Sequence, residues 1–205
     1  MPAPSSSHEA ESVLTFWFGA GTDDSAIARS QGKLWWSKDA VVDTDMRVRF
    51  TNLLSAAAAG LHNNWADTPR GQLALILLFD QFPRNIHRDT PQAFAYDARA
   101  LQLALDLIAS GGHRNLRRIE RVFCYLPLEH AESIEMQARS VEQFAGLAAE
   151  APEHQQDTFR GYVDYAIRHR DVIARFGRFP HRNRILGRVS TPEEIEFLKQ
   201  PGSSF

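Results

Sequence analysis

The sequence predicts an all-α protein built of antiparallel helix hairpins, on three observations. Apolar residues recur at helical spacing through most of the chain, as in Met46, Phe50, Leu53 and Ala57. Hydroxyl-proline pairs that open helices stand at Thr68-Pro69, Thr90-Pro91 and Thr191-Pro192. No alternating run of β-branched residues sits between turn signals, so no strand is expected.

Residues 1–7, rich in serine and proline, read as a disordered tail. A first helix is expected from His8 to Phe18, stopped by Gly19, and 21–32 reads as irregular. Leu34-Trp35-Trp36 is an aromatic patch, in which Trp36 is the residue set aside as a pocket wall. Asp39 or Asp43 caps a helix that runs to about Ala59. The next helix, 69–82, is central. Leu73 to Phe79 is an unbroken apolar run that covers every helix face, and Pro83 is read as its end. A helix over 91–110 carries the stripe Phe94, Ala98, Leu101, Leu105 and Ile108. A short basic helix covers 114–125, Pro127 breaks the pattern, and a helix over 128–149 follows. A helix over 155–175 shows Phe159, Val163, Ala166 and Ile173 on one face. Thr191-Pro192-Glu193-Glu194 is a capping box for a short closing helix, and 201–205 frays. The whole of 8–200 is read as one domain.

Charge narrows the function classes. A net charge of −2 gives no global attraction to nucleic acid or to an acidic membrane, and no apolar run reaches membrane-spanning length. The segment from Arg168 to Arg188 nevertheless holds seven arginines and only Asp171 as an acid, which leaves −8 for the rest of the chain. Arginine outnumbers lysine twenty to three, a choice that suits bidentate pairing with carboxylate or phosphate. Cys124 is the only cysteine, which excludes an intramolecular disulfide and a cysteine-based zinc cluster. The opening residues lack the basic and apolar regions of a signal peptide, so a cytoplasmic location is expected.

Three segments hold the polar groups that chemistry would need. The first, 80–88, places Asp80, Gln81, Arg84, Asn85, His87 and Arg88 at the end of the driest helix, where an ionised group must be paired. The second is Tyr125-Leu126-Pro127-Leu128-Glu129-His130-Ala131-Glu132. It puts carboxylates and an imidazole where a helix start is expected, and Glu129 or His130 is a candidate general base. The third, 175–188, alternates arginine with phenylalanine and contains Arg178, His181, Arg182, Asn183 and Arg188. It reads either as an anion-holding loop or as a fan of arginines that neutralises acids such as Glu129 and Glu132. Gln81-Phe82-Pro83-Arg84-Asn85 echoes Arg178-Phe179-Pro180-His181-Arg182-Asn183, as equivalent corners of two halves would. There is no His-Glu-x-x-His, P-loop, dinucleotide glycine pattern or nucleophile elbow, and a metal held by Glu129, His130, His169 and His181 would need spatial coincidence.

These pieces resemble the bacterial family called domain of unknown function 924. The matching motifs are Val13-Leu14-x-Phe16-Trp17-Phe18-Gly19, Trp35-Trp36, the run from Gly71 through Asn85, Phe94-Ala95-x-Asp97, Tyr125 through Glu132, and His169 through Arg188. The resemblance implies a tetratricopeptide-like right-handed helical array and assigns no reaction.

The expected function is a binding protein without a metal or other cofactor. Its Arg-rich pocket is floored by Asp80 and ringed by Arg84, Arg178, Arg182 and Arg188, with Trp17, Trp35 or Trp36 as the apolar wall. The ligand would be a small anionic molecule or an acidic peptide, not nucleic acid or membrane. One alternative is a hydrolase-like enzyme for a phosphorylated or carboxylated small molecule, with His130, Glu129 and His181 as candidate catalytic groups. Another is a structural adaptor whose polar corners only hold hairpins in register.

Overall fold

The structure, a computed structural model, describes residues 5–204. Among the described residues there are nine α-helices, short 3-10 turns and no strand. The helices are α1 (Ser5–Phe18), α2 (Asp24–Trp36), α3 (Ala40–Ala58), α4 (Pro69–Ile86), α5 (Asp97–Ala109), α6 (Arg118–Glu129), α7 (Ile134–Ala149), α8 (Gln156–Phe176) and α9 (Pro192–Phe197). Residues 1–4 of the expected tail lie outside the described residues, and α1 already begins at Ser5. No described helix is long and apolar enough to cross a membrane.

Helix α4 is the hub. Thr68 caps it, accepting a hydrogen bond from the Gly71 amide at 3.1 Å, and Pro69 occupies its first turn. α1, α3, α5 and α6 all pack on α4, so Leu73 to Phe79 are buried on every side, as a helix with no polar face requires. Phe82 sits within 5.5 Å of Trp17 and 4.8 Å of Phe50, ring centre to ring centre. The Trp35 indole donates to the Trp17 carbonyl at 2.9 Å and pins α2 to α1. Cys124 lies in this core, where burial pushes its thiol up to about 12 and keeps it unreactive. A second hairpin, α7 with α8, packs against α6.

Several boundaries differ from the sequence reading. The segment taken as irregular holds α2, capped by Asp23, whose carboxylate accepts from the Ala26 amide at 2.7 Å. Pro83 does not end α4, which continues to Ile86. Proline removes one donor, but the Arg84 side chain adds one to the Asp80 carbonyl nearby, and packing holds the last turn in place. Pro127 is likewise inside α6. Glu129 and His130 therefore stand at the end of a helix rather than in the first turn of one. α7 starts only at Ile134, with Ser133 as its cap. Thr90-Pro91 opens a 3-10 turn, Pro91–Phe94, and α5 begins at Asp97. The echoed motifs are not equivalent corners: Gln81 to Asn85 is helical, whereas the later copy follows left-handed Gly177 as a loop with a 3-10 turn at Pro180–Arg182.

Gly71 has a steric reason. A Cβ there would lie 2.2 Å from the Trp65 carbonyl oxygen of the 3-10 turn that precedes α4. Backbone cannot yield as a side chain can, so Gly71→Ala is expected to destabilise the protein by about 2 kcal/mol, despite alanine's higher helix propensity. Urea unfolding checks this, and an unchanged midpoint would show that the turn moves aside.

Candidate functional site

The ends of α4 and α6, the middle of α8, the end of α2 and the 3-10 turn at Pro180–Arg182 surround one cavity of about 760 Å³. Its floor is a buried charge network. Asp80 is wholly buried, and an ionised carboxylate there needs compensation. His130 Nδ1 donates to Asp80 Oδ1 at 2.7 Å, Gln81 Nε2 donates to Oδ2 at 2.5 Å, and Arg84 lies 3.4 Å away. Burial pushes the Asp80 carboxyl up, but the Arg84 charge, and then His130, outweigh it and hold the group well below the usual carboxylate range. An ionised carboxylate only accepts, so the proton of this bond sits on His130 Nδ1. Burial keeps the imidazole largely neutral, which leaves Nε2 as an acceptor nitrogen.

Arg84 carries the network to α5, donating to both oxygens of Asp97 at 2.9 and 3.1 Å. Arg182 approaches the same carboxylate from the C-terminal segment, but only to 3.6 Å. It is 7% exposed, lies 4.8 Å from the Phe94 ring centre and 4.5 Å from that of Phe179, and its Nε has no hydrogen-bond partner among the described residues. Burial and the neighbouring Arg84 charge lower it to about 10, so it remains a cation at neutral pH. A desolvated guanidinium this poorly paired is costly to keep in the cavity wall.

Glu129 and His169 form the other side of the floor. His169 Nδ1 lies 2.9 Å from the Tyr165 carbonyl and 3.1 Å from Glu129 Oε1. Burial, and then repulsion from Asp80, push the Glu129 carboxyl up to about 8, and the carbonyl end of α6 acts in the same direction. Burial pushes His169 down to about 3, so at neutral pH these are two neutral groups in close contact, not an ion pair. His181 also lines the cavity and is held at about 3 by burial and Arg182. The four groups considered as a metal set share this wall, but no described cluster of three or more His, Cys, Asp or Glu is arranged to hold a metal ion.

Other residues expected at the pocket have structural work elsewhere. Arg178 donates to both Glu194 oxygens at 2.6 and 2.8 Å, and Arg188 to both Glu132 oxygens at 2.6 and 2.9 Å. Glu132 also accepts from the Phe179 amide, so these pairs shape the loop that presents Arg182. Asn183 is buried, donating to Ser190 and Glu194 and accepting from Arg188. None of Arg178, Asn183 and Arg188 lines the cavity, and Asp80 lies beneath it, reaching the lining only through Gln81, Arg84 and His130. Asn85 does, though its amide donates to Asp43 at 3.0 Å. Trp17 is core, and Trp35 and Trp36 supply the wall.

On the α8 side the sequence reading names His169 and misses its companions. Thr158, Tyr162, Tyr165 and His169 are spaced four, three and four and face the cavity. That polar-aromatic stripe was hidden beside the apolar one that seats the helix. Gly161 stands within it, and a Cβ there would meet nothing within 4 Å. Asp97, which Arg84 and Arg182 both approach, has no signal beyond its place after an aromatic motif.

Glu129 yields a pH prediction. Its folded pKa is raised, so the stability it contributes is complete below the unfolded value and is lost as pH rises towards about 8. The buried histidines act in the opposite sense, losing stability as pH falls through their unfolded values. The difference between wild type and Glu129→Gln isolates the carboxyl. Between pH 5 and 8 wild type should lose on the order of 3 kcal/mol relative to the variant. Urea unfolding at both values measures it, and parallel pH profiles would show that Glu129 is ionised in the fold.

Comparison with known proteins agrees with this architecture. A solved structure of a protein of unknown function from Agrobacterium tumefaciens is similar, with a TM-score of 0.79 and 35% identity over 95% of this chain and 99% of that one. No curated protein matches the chain. The model of the family described as "Bacterial protein of unknown function (DUF924)" matches residues 13–202, and the chain belongs to that family.

Proposed function

We propose that the protein binds a small anionic molecule, a carboxylate or a phosphate, in the cavity between α4, α6 and α8, with Arg182 as its anchor. One observation carries this reading: Arg182 is a buried cation on the cavity wall whose nearby carboxylate is already held by Arg84. An anion inside the cavity would complete its pairing. Gly161 supports the same reading. Glycine within a helix costs about 1 kcal/mol relative to alanine, and here it leaves space in the cavity wall rather than relieving a clash. A purely structural adaptor would have every guanidinium saturated and no cavity. The enclosed floor favours a diffusible small molecule over an acidic peptide, and in this reading the protein works in the cytoplasm. A tetratricopeptide-like stacking of the hairpins belongs to the same expectation.

A second reading, an acid-base enzyme of hydrolase type acting on such an anion, is favoured by the Asp80–His130 hydrogen bond beside a carboxyl that keeps its proton at neutral pH. His130 Nε2 would accept a proton and Glu129 would donate one.

The binding reading is tested by thermal shift with phosphate, sulfate and small carboxylates. Arg182→Met should abolish the shift while Tm stays level or rises, because a poorly paired buried charge is exchanged for an apolar chain of similar size. Gly161→Trp, which fills the cavity and leaves every charge in place, should also abolish it. Arg178→Ala should lower Tm and keep the anion response. If Arg182→Met instead unfolds the chain, or binds as wild type does, Arg182 is not the anchor. For the enzyme reading, turnover of p-nitrophenyl phosphate should disappear in both His130→Ala and Glu129→Gln. Equal turnover in wild type and variants removes it.

A further inference from the structure

The cavity is graded from floor to mouth. Arg182, Glu129 and His169 are buried, whereas Trp36 is 52% exposed and Lys38 and Arg184 are exposed, and all six line the same space. Lys38 and Arg184 make no ion pair among the described residues. The other charged corner of the rim has no positive charge to offer, because Arg88 is bidentate to Asp43 at 2.5 and 2.7 Å and adjoins Asp89. In a chain of net charge −2, two uncommitted cations at the mouth above one poorly paired cation at the floor form a local positive axis.

Flat aromatic surface lines the same cavity. Trp36 rests on Phe123 at 5.8 Å and 10° between ring planes, and Tyr162 lies 6.2 Å from it. Phe123 is fully buried, so one face of the Trp36 indole is supported by the core while the residue as a whole is half open to solvent. A tryptophan backed on one side and open on the other presents a stacking surface for a planar ligand.

Resting on the reading that Arg182 anchors an anion, we propose that the ligand is a flat aromatic or heteroaromatic molecule with two anionic groups. One group pairs with Arg182 at the floor, the ring lies against Trp36, and the second group meets Lys38 and Arg184 at the mouth. The inner pole is desolvated and sets affinity, and the outer pole is screened by salt and steers entry.

Isothermal titration with three probes tests each part: inorganic phosphate, phenyl phosphate and 4-carboxyphenyl phosphate. Affinity should rise by about 10-fold when the ring is added and again when the second anion is added, the latter gain fading in high salt. Trp36→Ala should erase the ring gain and leave phosphate binding as it was. Lys38→Ala with Arg184→Ala should erase only the second gain. Both sites are on the surface, so circular dichroism should show the helices unchanged. If phosphate binds through Arg182 but neither addition helps, or if the gains survive these substitutions, the two-pole ligand is wrong and the anchor stands. If none of the three probes binds, the anchor itself falls, and this proposal with it.

Discussion

A carboxylate with no access to water, Asp80, is the constraint on which the architecture turns. Burying that charge would cost several kcal/mol without partners, and α4 supplies only Gln81 and Arg84 from its own turn. The rest comes from elsewhere: His130 from the end of α6 and, through Arg84, Asp97 from α5. Asp97 in turn draws in Arg182 from the C-terminal segment. Four parts of the chain are thus joined in one network that starts at the Asp80 carboxylate. The apolar run of α4 positions that carboxylate, because a helix buried on all sides has one orientation in which its neighbours fit.

The same arrangement separates structural arginines from available ones. Arg178 and Arg188 are spent on Glu194 and Glu132, and those pairs form the rigid frame of the 177–194 loop. Arg182 is held by that frame against two phenyl rings and is left with a long contact to a carboxylate that Arg84 already occupies. Stability would be served by a hydrocarbon at this position. A cation kept there, facing a cavity, is a local cost that the rest of the fold does not offset, and it is the observation on which the proposed anion site rests.

Part of this site was legible before folding. The concentration of arginine in one segment and of polar groups at 80–88 and 125–132 marked the three stretches that meet. Which arginine stays available was not legible, because Arg178, Arg182 and Arg188 have the same residue type and similar surroundings in sequence. Thr158, Tyr162 and Tyr165 are not legible in the sequence, because a helix with two periodic faces shows its apolar one more strongly. Both interior prolines were over-read as breaks. Proline within the last turns of a helix forfeits one hydrogen bond, and packing of α4 and α6 outweighs that loss.

Local chemistry by itself determined the all-helical class, the apolar hub around Leu73 to Phe79, and the caps at Thr68 and Thr191, since each depends on neighbours within a turn or two. Tertiary structure alone decided that Asp80 meets His130, that Glu129 keeps its proton, and that Arg182 lacks a full partner. Those properties depend on burial and on distances of a few ångströms between segments far apart in the chain, and no pattern along the chain encodes them.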